Sequence, residues 1–183
     1  MIGGFLKFGF VAALGIGLQL GSVGGVVAQT PTPSSDLRTT GGYSSSFRIG
    51  GAVGRPTTFT LKDLQALPPT SANVYYSTGK GPVSAKYTGV LLWDLLNQVG
   101  IKTDASIKND ILRRFIVVTA TDGYAVYISA GELSPMFGGH QVLVAYAQDD
   151  QLLGTDSGFS RLVFPGDKAG GRYVSWIKAI QVH

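Results

Sequence analysis

The chain has 183 residues, of which 44% are hydrophobic and 14% charged, a composition typical of a folded domain rather than a disordered chain. Fifteen basic and eleven acidic residues leave a net charge of +4. Because the basic residues are dispersed, the sequence predicts no nucleic-acid-binding face. The chain has no cysteine, which excludes disulfides, thiolate metal ligands and cysteine nucleophiles.

Residues 1–28 differ in character from the rest of the chain. Lys7 is their only charge, residues 8–28 form an uncharged apolar run, and small residues precede Gln29. This pattern predicts a signal peptide that is cleaved after Ala28, and a periplasmic or secreted protein. The run is nearly as long as the ~20 residues that span a bilayer, so an uncleaved membrane anchor is the alternative. Residues 29–46 are rich in Pro, Ser, Thr and Gly and are predicted to be a flexible linker before a domain at 47–183.

The first half of this domain is predicted to contain strands and two helices. Strand-like runs at 47–53 and 57–59 flank a Gly-Arg-Pro turn. Thr60 and Asp63 then match a helix N-cap with an acid three residues later, so a short helix is expected before Pro68. A strand is predicted at 73–76, and alternation places either Tyr75 or Tyr76 in the core. The clearest helical pattern covers 88–100, with leucines on one face and Gly100 as its cap.

The second half is predicted to be mostly strands. Runs at 115–120 and 125–129 flank Asp122-Gly123, a typical hairpin turn. Ser129 and Glu132 match another capping box, which indicates a short helical turn. Runs at 142–147 and 152–153 flank a second turn at Asp149-Asp150, and further strands are expected at 161–164 and 173–182. Many short strands with few helices predict a compact, β-rich α+β domain.

No catalytic residue can be assigned from the usual motifs. The two histidines, His140 and His183, have no nucleophile motif beside them, and two histidines without cysteine make a poor metal site. The glycine-rich segment 165–176 carries Lys168 and Arg172, which with backbone N–H groups can hold an anion. It lacks the spacing of a P-loop, and a mobile turn with solvated charges is the competing interpretation.

Five segments occur in the order found in a known family. They are FRIGGAVGRPTTFTLKDLQALPP (47–69), YTGVLLWDLL (87–96), TATDGYAVYISAGEL (119–133), VLVAYAQDDQLL (142–153) and RLVFPGDKAGGRYVSWIKAIQV (161–182). Together they resemble the molybdopterin-binding domain of sulfite-oxidase-like oxidoreductases. The resemblance covers 47–182 and implies a mixed α+β fold that binds molybdenum through molybdopterin and one cysteine thiolate.

The resemblance also implies a set of site residues. The family's cysteine stands in a Cys-x-Gly setting at the end of a strand, and the matching triplet here is Ser77-Thr78-Gly79, which puts Ser77 at the metal-ligand position. Serine binds as a hard alkoxide and ionises less readily than a soft thiolate. Two other positions differ: Ser157 and Ser175 stand where the family commonly has histidine and lysine. The expected cofactor-binding set is Ser77, Thr78, Gly79, Asp122, Tyr124, Arg161, Lys168 and Arg172.

Two functional hypotheses follow from this resemblance. The leading one is an exported, non-catalytic module without a cofactor, which binds a small anionic ligand or a periplasmic protein partner, since a fold does not imply its usual function. The alternative is a molybdopterin-dependent periplasmic oxidoreductase in which Ser77 completes the metal shell. Contact with a membrane is expected only if residues 1–28 remain attached.

Overall fold

The computed structural model describes residues 41–183, which lie in one compact unit. The predicted β-rich α+β fold is confirmed. The strands are β1 (Ser46–Gly51), β2 (Thr57–Thr60), β3 (Thr70–Thr78), β4 (Gly81–Leu91), β5 (Phe115–Ala120), β6 (Ala125–Ser129), β7 (Leu143–Gln148), β8 (Gln151–Leu152), β9 (Arg161–Val163) and β10 (Ile177–Val182). The helices are α1 (Leu61–Gln65), α2 (Leu92–Val99) and α3 (Ala130–Leu133), with 3₁₀ turns at Asp110–Arg113 and Gly170–Arg172.

The first sheet joins the two ends of the described chain. Its strand order is β2-β1-β10-β5-β6. Strands β1 and β10 pair in parallel, with Arg48 opposite Ala179 and Gly51 opposite Val182. All other pairs in this sheet are antiparallel. The last strand therefore lies at the centre of the sheet and needs β1 and β5 on its two sides.

The second sheet is built on a long hairpin. Its order is β3-β4-β7-β8, and β9 pairs with the other part of β7. The register of β4 against β7 shifts between Thr88 and Gly89. At Gly89 a Cβ would lie 2.3 Å from the carbonyl oxygen of Val144, so only glycine allows this approach of the two backbones. The hairpin turn of β3 and β4 places Ser77 near one end of this sheet.

The helices are short and are held by local caps and by the core. Thr60 and Asp63 form the predicted capping box, since each side chain hydrogen-bonds the backbone N–H of the other. The buried face of α2 consists of Leu92, Leu95, Leu96 and Val99. Between 41 and 183, no helix is long and apolar enough to cross a membrane.

Several predicted elements have different bounds in the structure. The helix expected at 88–100 begins only at Leu92, because the preceding residues extend β4 and pair with β3 and β7. The strand expected at 73–76 is nine residues long, and its partner β4 was not predicted as a strand. The strand expected from residue 173 begins at Ile177, because Trp176 has a φ of 51° that breaks the extended run.

Other local predictions are confirmed. Strands β5 and β6 form the predicted hairpin across Asp122-Gly123, and Gly123 has the expected positive φ of 83°. Asp149 and Asp150 both adopt positive φ between β7 and β8, which suits a tight hairpin turn. Tyr76 is 2% exposed and Tyr75 is 71% exposed, as the alternation along the strand predicted.

The predicted signal peptide lies outside the described residues, and so does most of the predicted linker. The described end of that linker is hydrogen-bonded to the domain: Gly42 N donates to Thr121 Oγ1, and Thr121 Oγ1 donates to Gly42 O. Ser44 Oγ donates to the carbonyl of Ile177. Regular structure then begins at Ser46, one residue before the predicted domain boundary.

Candidate functional site

Ser77 lies at the rim of a cleft between the end of β3 and the loop before β10. Its backbone N–H donates to the carbonyl of Lys168 at 2.9 Å, and it forms an isolated parallel bridge with Ala169. We call this the Ser77 cleft; it has a volume of about 420 Å³. Its lining residues are Tyr76, Ser77, Thr78, Gly79, Arg161, Ala169, Gly170 and Gly171.

Arg161 is the cationic residue of the Ser77 cleft. It begins β9, where it pairs with Ala145 of β7, and its side chain is half-buried. One terminal nitrogen donates to the Tyr87 hydroxyl at 3.3 Å, while the buried Nε has no hydrogen-bond partner. Among residues 41–183, no carboxylate forms an ion pair with it. Arg161 thus presents a full positive charge and an unsatisfied donor at the cleft, which an anion can satisfy.

Two tyrosines, Tyr87 and Tyr173, contact Arg161, and Tyr76 packs against both of them. The rings of Tyr76 and Tyr173 stack with centroids 4.1 Å apart, and the hydroxyls of Tyr76 and Tyr87 are 3.3 Å apart. The Arg161 guanidinium carbon lies 5.8 Å from the Tyr87 ring centroid and 5.6 Å from that of Tyr173, within cation–π range. Burial raises the pKa of Tyr173 to about 12, and burial, together with the Tyr76 hydroxyl, raises the pKa of Tyr87 further. Both phenols therefore remain neutral donors near neutral pH.

The second predicted arginine has a different environment. Arg172 makes a two-pronged ion pair with Asp167, at 2.8 and 2.6 Å, and donates to Glu132 at 2.8 Å. Its guanidinium also covers the Phe164 ring at 3.9 Å. The hydrogen bonds that Arg172 donates to Asp167 raise the pKa of Arg172 above its ordinary value. Two carboxylates thus neutralise this cation, and it is absent from the lining of the Ser77 cleft.

Lys168 contributes its backbone rather than its charge. Its carbonyl accepts from Ser77 N, while its side chain is exposed and is not among the residues that line the cleft. Glu132, which was expected to complete a capping box with Ser129, instead pairs with Arg172 and lies 3.2 Å from His140 Nδ1. Ser129 alone caps α3, through a bond from Gly131 N.

Asp122 and Tyr124 lie in a neighbouring pocket, which we call the Asp122 pocket. It has a volume of about 250 Å³ and is lined by Ala120, Asp122, Tyr124, Gly170, Tyr173, Ser175 and Trp176. Asp122 Oδ1 accepts from Tyr124 N at 2.9 Å, and the Tyr124 hydroxyl donates to the Gly171 carbonyl. Gly170 borders both this pocket and the Ser77 cleft, so the two cavities adjoin. Six of the eight predicted residues line one or the other of them, whereas Lys168 and Arg172 line neither.

Sequence reasoning missed the tyrosines that complete the site. Tyr87 and Tyr173 come from β4 and from the segment before β10. Both lie in segments that resemble the family, 87–96 and 161–182, but neither was predicted as a site residue. The available signal was the Gly170-Gly171 pair. A Cβ at Gly170 would lie 3.0 Å from the Tyr76 ring, so this glycine lets the loop approach β3 closely.

Among the described residues, no group of three or more His, Cys, Asp or Glu could hold a metal ion. The remaining donor at the expected metal position is the exposed hydroxyl of Ser77. The cleft therefore combines one hard oxygen donor with one available cation and an aromatic wall. Its chemistry suits recognition of a small anion.

Comparisons with known proteins agree with this architecture. Nitrate reductase [NADH] from Ulva prolifera is 30% identical in an alignment of 165 residues that covers 76% of this chain and 19% of that protein. The sulfane dehydrogenase SoxCD from Paracoccus pantotrophus superposes with a TM-score of 0.62 at 20% identity, over 75% of this chain and 38% of that one. The chain thus spans well under half the length of either relative.

A match to a family model assigns the chain to a protein family. The model described as "Oxidoreductase molybdopterin binding domain" matches residues 40–183. This range includes both sheets, the Ser77 cleft and the Asp122 pocket. The chain belongs to the oxidoreductase molybdopterin-binding domain family.

Proposed function

We propose that this domain is a non-redox binding module whose Ser77 cleft takes a small anionic ligand. The observation that carries the proposal is Arg161, a half-buried cation that has no carboxylate partner in residues 41–183 and a buried Nε without an acceptor. An unsatisfied buried donor costs about 1–3 kcal/mol, and more when it is charged, so an anion that accepts from Arg161 recovers that cost on binding. Arg172 cannot serve in this way because two carboxylates already hold it.

The residues of the cleft fit one part of molybdopterin and not another. Arg161, the aromatic wall and the open space beside Gly79 and Gly171 suit a flat, anionic molecule. The soft thiolate that would bind molybdenum is missing, and Ser77 offers only a hard, poorly ionised oxygen. The donor set therefore supports anion binding without a metal step.

The competing function is a molybdopterin-dependent oxidoreductase with Ser77 as the protein's metal ligand. Family membership and the position of Ser77 at the rim of the cleft favour it. In that case Arg161 would hold the anionic part of the cofactor, Ser77 would face the metal, and the cofactor would supply the redox chemistry. The activities named for the two longer relatives are not transferred, because this chain covers a minor part of each.

Export is part of the same proposal. The apolar run 8–28 and the small residues before Gln29 support delivery to the periplasm or to the medium. There the module would meet its anionic ligand directly or would present it to a protein partner.

Ligand binding can be tested with phosphate and sulfate as probes, by calorimetry on protein freed of anions. We expect Arg161→Gln to weaken binding by about tenfold or more, because a charge-assisted hydrogen bond contributes about 1.5–3 kcal/mol. Arg161→Lys should retain part of the affinity. Arg48→Gln, on an exposed position of β1, is the matched control and should bind like the wild type. Equal binding by all four proteins, or by none, would remove the proposed role of the cleft.

The choice between the two functions needs a second measurement. Molybdenum, tungsten and pterin should be quantified in the full chain, purified from cells whose other molybdenum enzymes are loaded. The binding-module proposal expects neither metal nor pterin in stoichiometric amount. A stoichiometric metal and pterin signal that disappears in Ser77→Ala would establish the oxidoreductase instead.

A further inference from the structure

Strand β6 forms an open edge of the first sheet. It pairs with β5 without a register shift, and it pairs with no second strand in residues 41–183. Its sequence, AVYIS, has no proline and no charge, the features with which proteins commonly protect an exposed edge. The opposite edge strand, β2, is only four residues long and follows Pro56. The edge of β6 is therefore suited to accept an added strand.

The hydrogen bonds at the two ends of the β5–β6 ladder show which backbone groups are directed outwards. Ala120 N donates to Tyr124 O at one end, and Ala130 N donates to Arg114 O at the other. Hydrogen-bonded and non-hydrogen-bonded residue pairs alternate along antiparallel strands, so every second residue from 124 to 130 directs its backbone groups towards β5. The N–H groups of the residues between them, 125, 127 and 129, therefore point away from β5.

A groove of about 470 Å³ lies beside the carboxyl end of β6. We call it the β6 groove. Three of its apolar side chains are exposed, those of Leu112, Phe115 and Tyr127, and Tyr127 is exposed by 69%. The other lining residues are Arg113, Arg114, Ile128 and Ser129, so two guanidinium groups and no carboxylate line the groove. It therefore offers apolar surface next to positive charge.

The two guanidinium groups share a single carboxylate. Asp110 lies 3.1 Å from a terminal nitrogen of Arg113 and 2.7 Å from one of Arg114. Neither arginine forms another ion pair within residues 41–183. The Asp110 side chain is almost fully buried, whereas 64% of the Arg113 side chain is exposed. One positive charge beside the β6 groove is therefore not neutralised, and an acidic group of a partner can approach it at Arg113.

We propose that β6 binds an extended segment of a protein partner, which adds to the first sheet as an antiparallel strand. The segment has alternating apolar residues and has acidic residues at its amino end. Residues directly opposite each other share one face of a sheet, so its apolar side chains lie on the same face as Tyr127, over the β6 groove. Because the pairing is antiparallel, the amino end of the segment extends past Ser129 towards Arg113.

A second copy of this chain is a less suitable occupant of the edge. A second β6 would bring no carboxylate to Arg113, since its sequence contains none. The charge of the β6 groove therefore favours a different, acidic segment. This inference concerns another part of the sheet and is independent of the ligand proposed for the Ser77 cleft.

The probe is a blocked seven-residue peptide, two glutamates followed by valine, threonine, valine, threonine and valine, which is titrated into the full chain. In the proposed register the valines carry the N–H groups that face β6. N-methylation of the valines should weaken binding by at least about tenfold, whereas N-methylation of the threonines should change it by less than about twofold. Equal effects of the two modifications would contradict strand addition. So would a failure of the unmodified peptide to bind at a concentration of about 1 mM.

Recognition of the acidic end has a separate test. Arg113→Gln should weaken binding of this peptide by about two- to fivefold, the range for an exposed ion pair. It should bind a second peptide, with lysines in place of the glutamates, no more weakly than the wild type does. Lys62→Gln, on an exposed position of α1, is the matched control and should bind both peptides like the wild type. An unchanged preference for glutamate in Arg113→Gln would remove Arg113 from the proposal.

Sedimentation of the chain alone tests the second copy as occupant. We expect a monomer, because the edge of β6 is open to a different segment. Tyr127→Pro removes an outward-facing N–H and no hydrogen bond to β5, so it should abolish peptide binding and keep the urea midpoint of the wild type. A dimer that Tyr127→Pro dissociates, with no binding of the peptide, would overturn the proposal and assign the edge to a second copy.

Discussion

At the scale of single residues, Gly89 is a position where the backbone of β7 lies too close to β4 for a side chain. A Cβ there would lie 2.3 Å from Val144 O and 2.4 Å from Ala145 Cα, and both are backbone atoms that cannot rotate away. Gly89→Ala should therefore lower the free energy of unfolding by roughly 3 kcal/mol or more, the upper range for overpacking a core. Urea unfolding followed by circular dichroism measures this loss.

The matched control for Gly89 is Gly79, in the turn of the same hairpin. A Cβ at Gly79 would meet nothing within 4 Å. Gly79→Ala should therefore change stability by no more than about 0.5 kcal/mol, as is usual for surface positions. A similar loss of stability in the two variants would show that replacing any glycine has this effect, and that the close approach at Gly89 is not its cause.

The site residues show what sequence can predict at this scale. Ser77 and Arg161 were expected as site residues from the family resemblance, and both line the same cleft. Arg161 and Arg172 look equivalent in sequence, since both belong to the same motif. Their partners come from distant positions: Glu132 neutralises Arg172, and Tyr87 holds Arg161. Pairing across 40 or 74 positions depends on the tertiary structure, so sequence reasoning could not rank the two cations.

At the scale of elements, the loop between α2 and β5 is organised by one buried carboxylate. Asp110 is 3% exposed; it accepts from Asp104 N at 2.8 Å and pairs with Arg113 and Arg114. The backbone N–H of Asp104 and the Arg114 guanidinium lower the pKa of Asp110. A carboxyl with a lowered folded-state pKa stabilises the fold above its unfolded pKa, and this stabilisation is lost as pH falls through the folded value.

Asp110→Asn should therefore reduce stability at pH 7 and should flatten the loss of stability on acidification below about pH 4, the ordinary aspartate pKa. Urea midpoints at pH 7, 4 and 2.5 test this expectation. Asp94→Asn, on the exposed face of α2, is the control and should behave like the wild type at each pH. If the stability of Asp110→Asn falls as steeply on acidification as that of the wild type, other carboxyl groups cause the loss.

The predictions of secondary structure were correct where they depend on neighbouring residues, and they were wrong where pairing between distant strands determines the conformation. The capping box at Thr60 and the turns at Gly123 and Asp149 need only neighbouring residues, and the structure contains them. Residues 88–91 fit the helical pattern of the sequence, yet they lie in β4. Thr88 and Gly89 pair with both β3 and β7, and residues 90–91 pair with β7. Tertiary pairing overrides the local helical pattern here, as it commonly does for apolar runs near an element boundary.

At the scale of the whole molecule, the central strand of the first sheet is the last one in sequence. Removing residues 177–183 would leave β1 and β5 without the neighbour between them and would expose core residues such as Ile177 and Ile180. We expect this truncation to abolish cooperative unfolding and near-UV circular dichroism. His183→Ala, which keeps β10 and removes only a ring stacked on Phe115, should retain both signals. A truncated chain with a sharp unfolding transition would contradict the expectation.

The parallel pairing of β1 with β10 also has a consequence for biosynthesis. While the ribosome still holds β10, β1 has emerged but lacks the central neighbour with which it forms four register pairs. The first sheet therefore closes only after translation has passed β10, whereas all strands of the second sheet are synthesised earlier. A chain in that condition stays accessible to chaperones until residues 177–182 have left the ribosome and β10 can pair with β1 and β5.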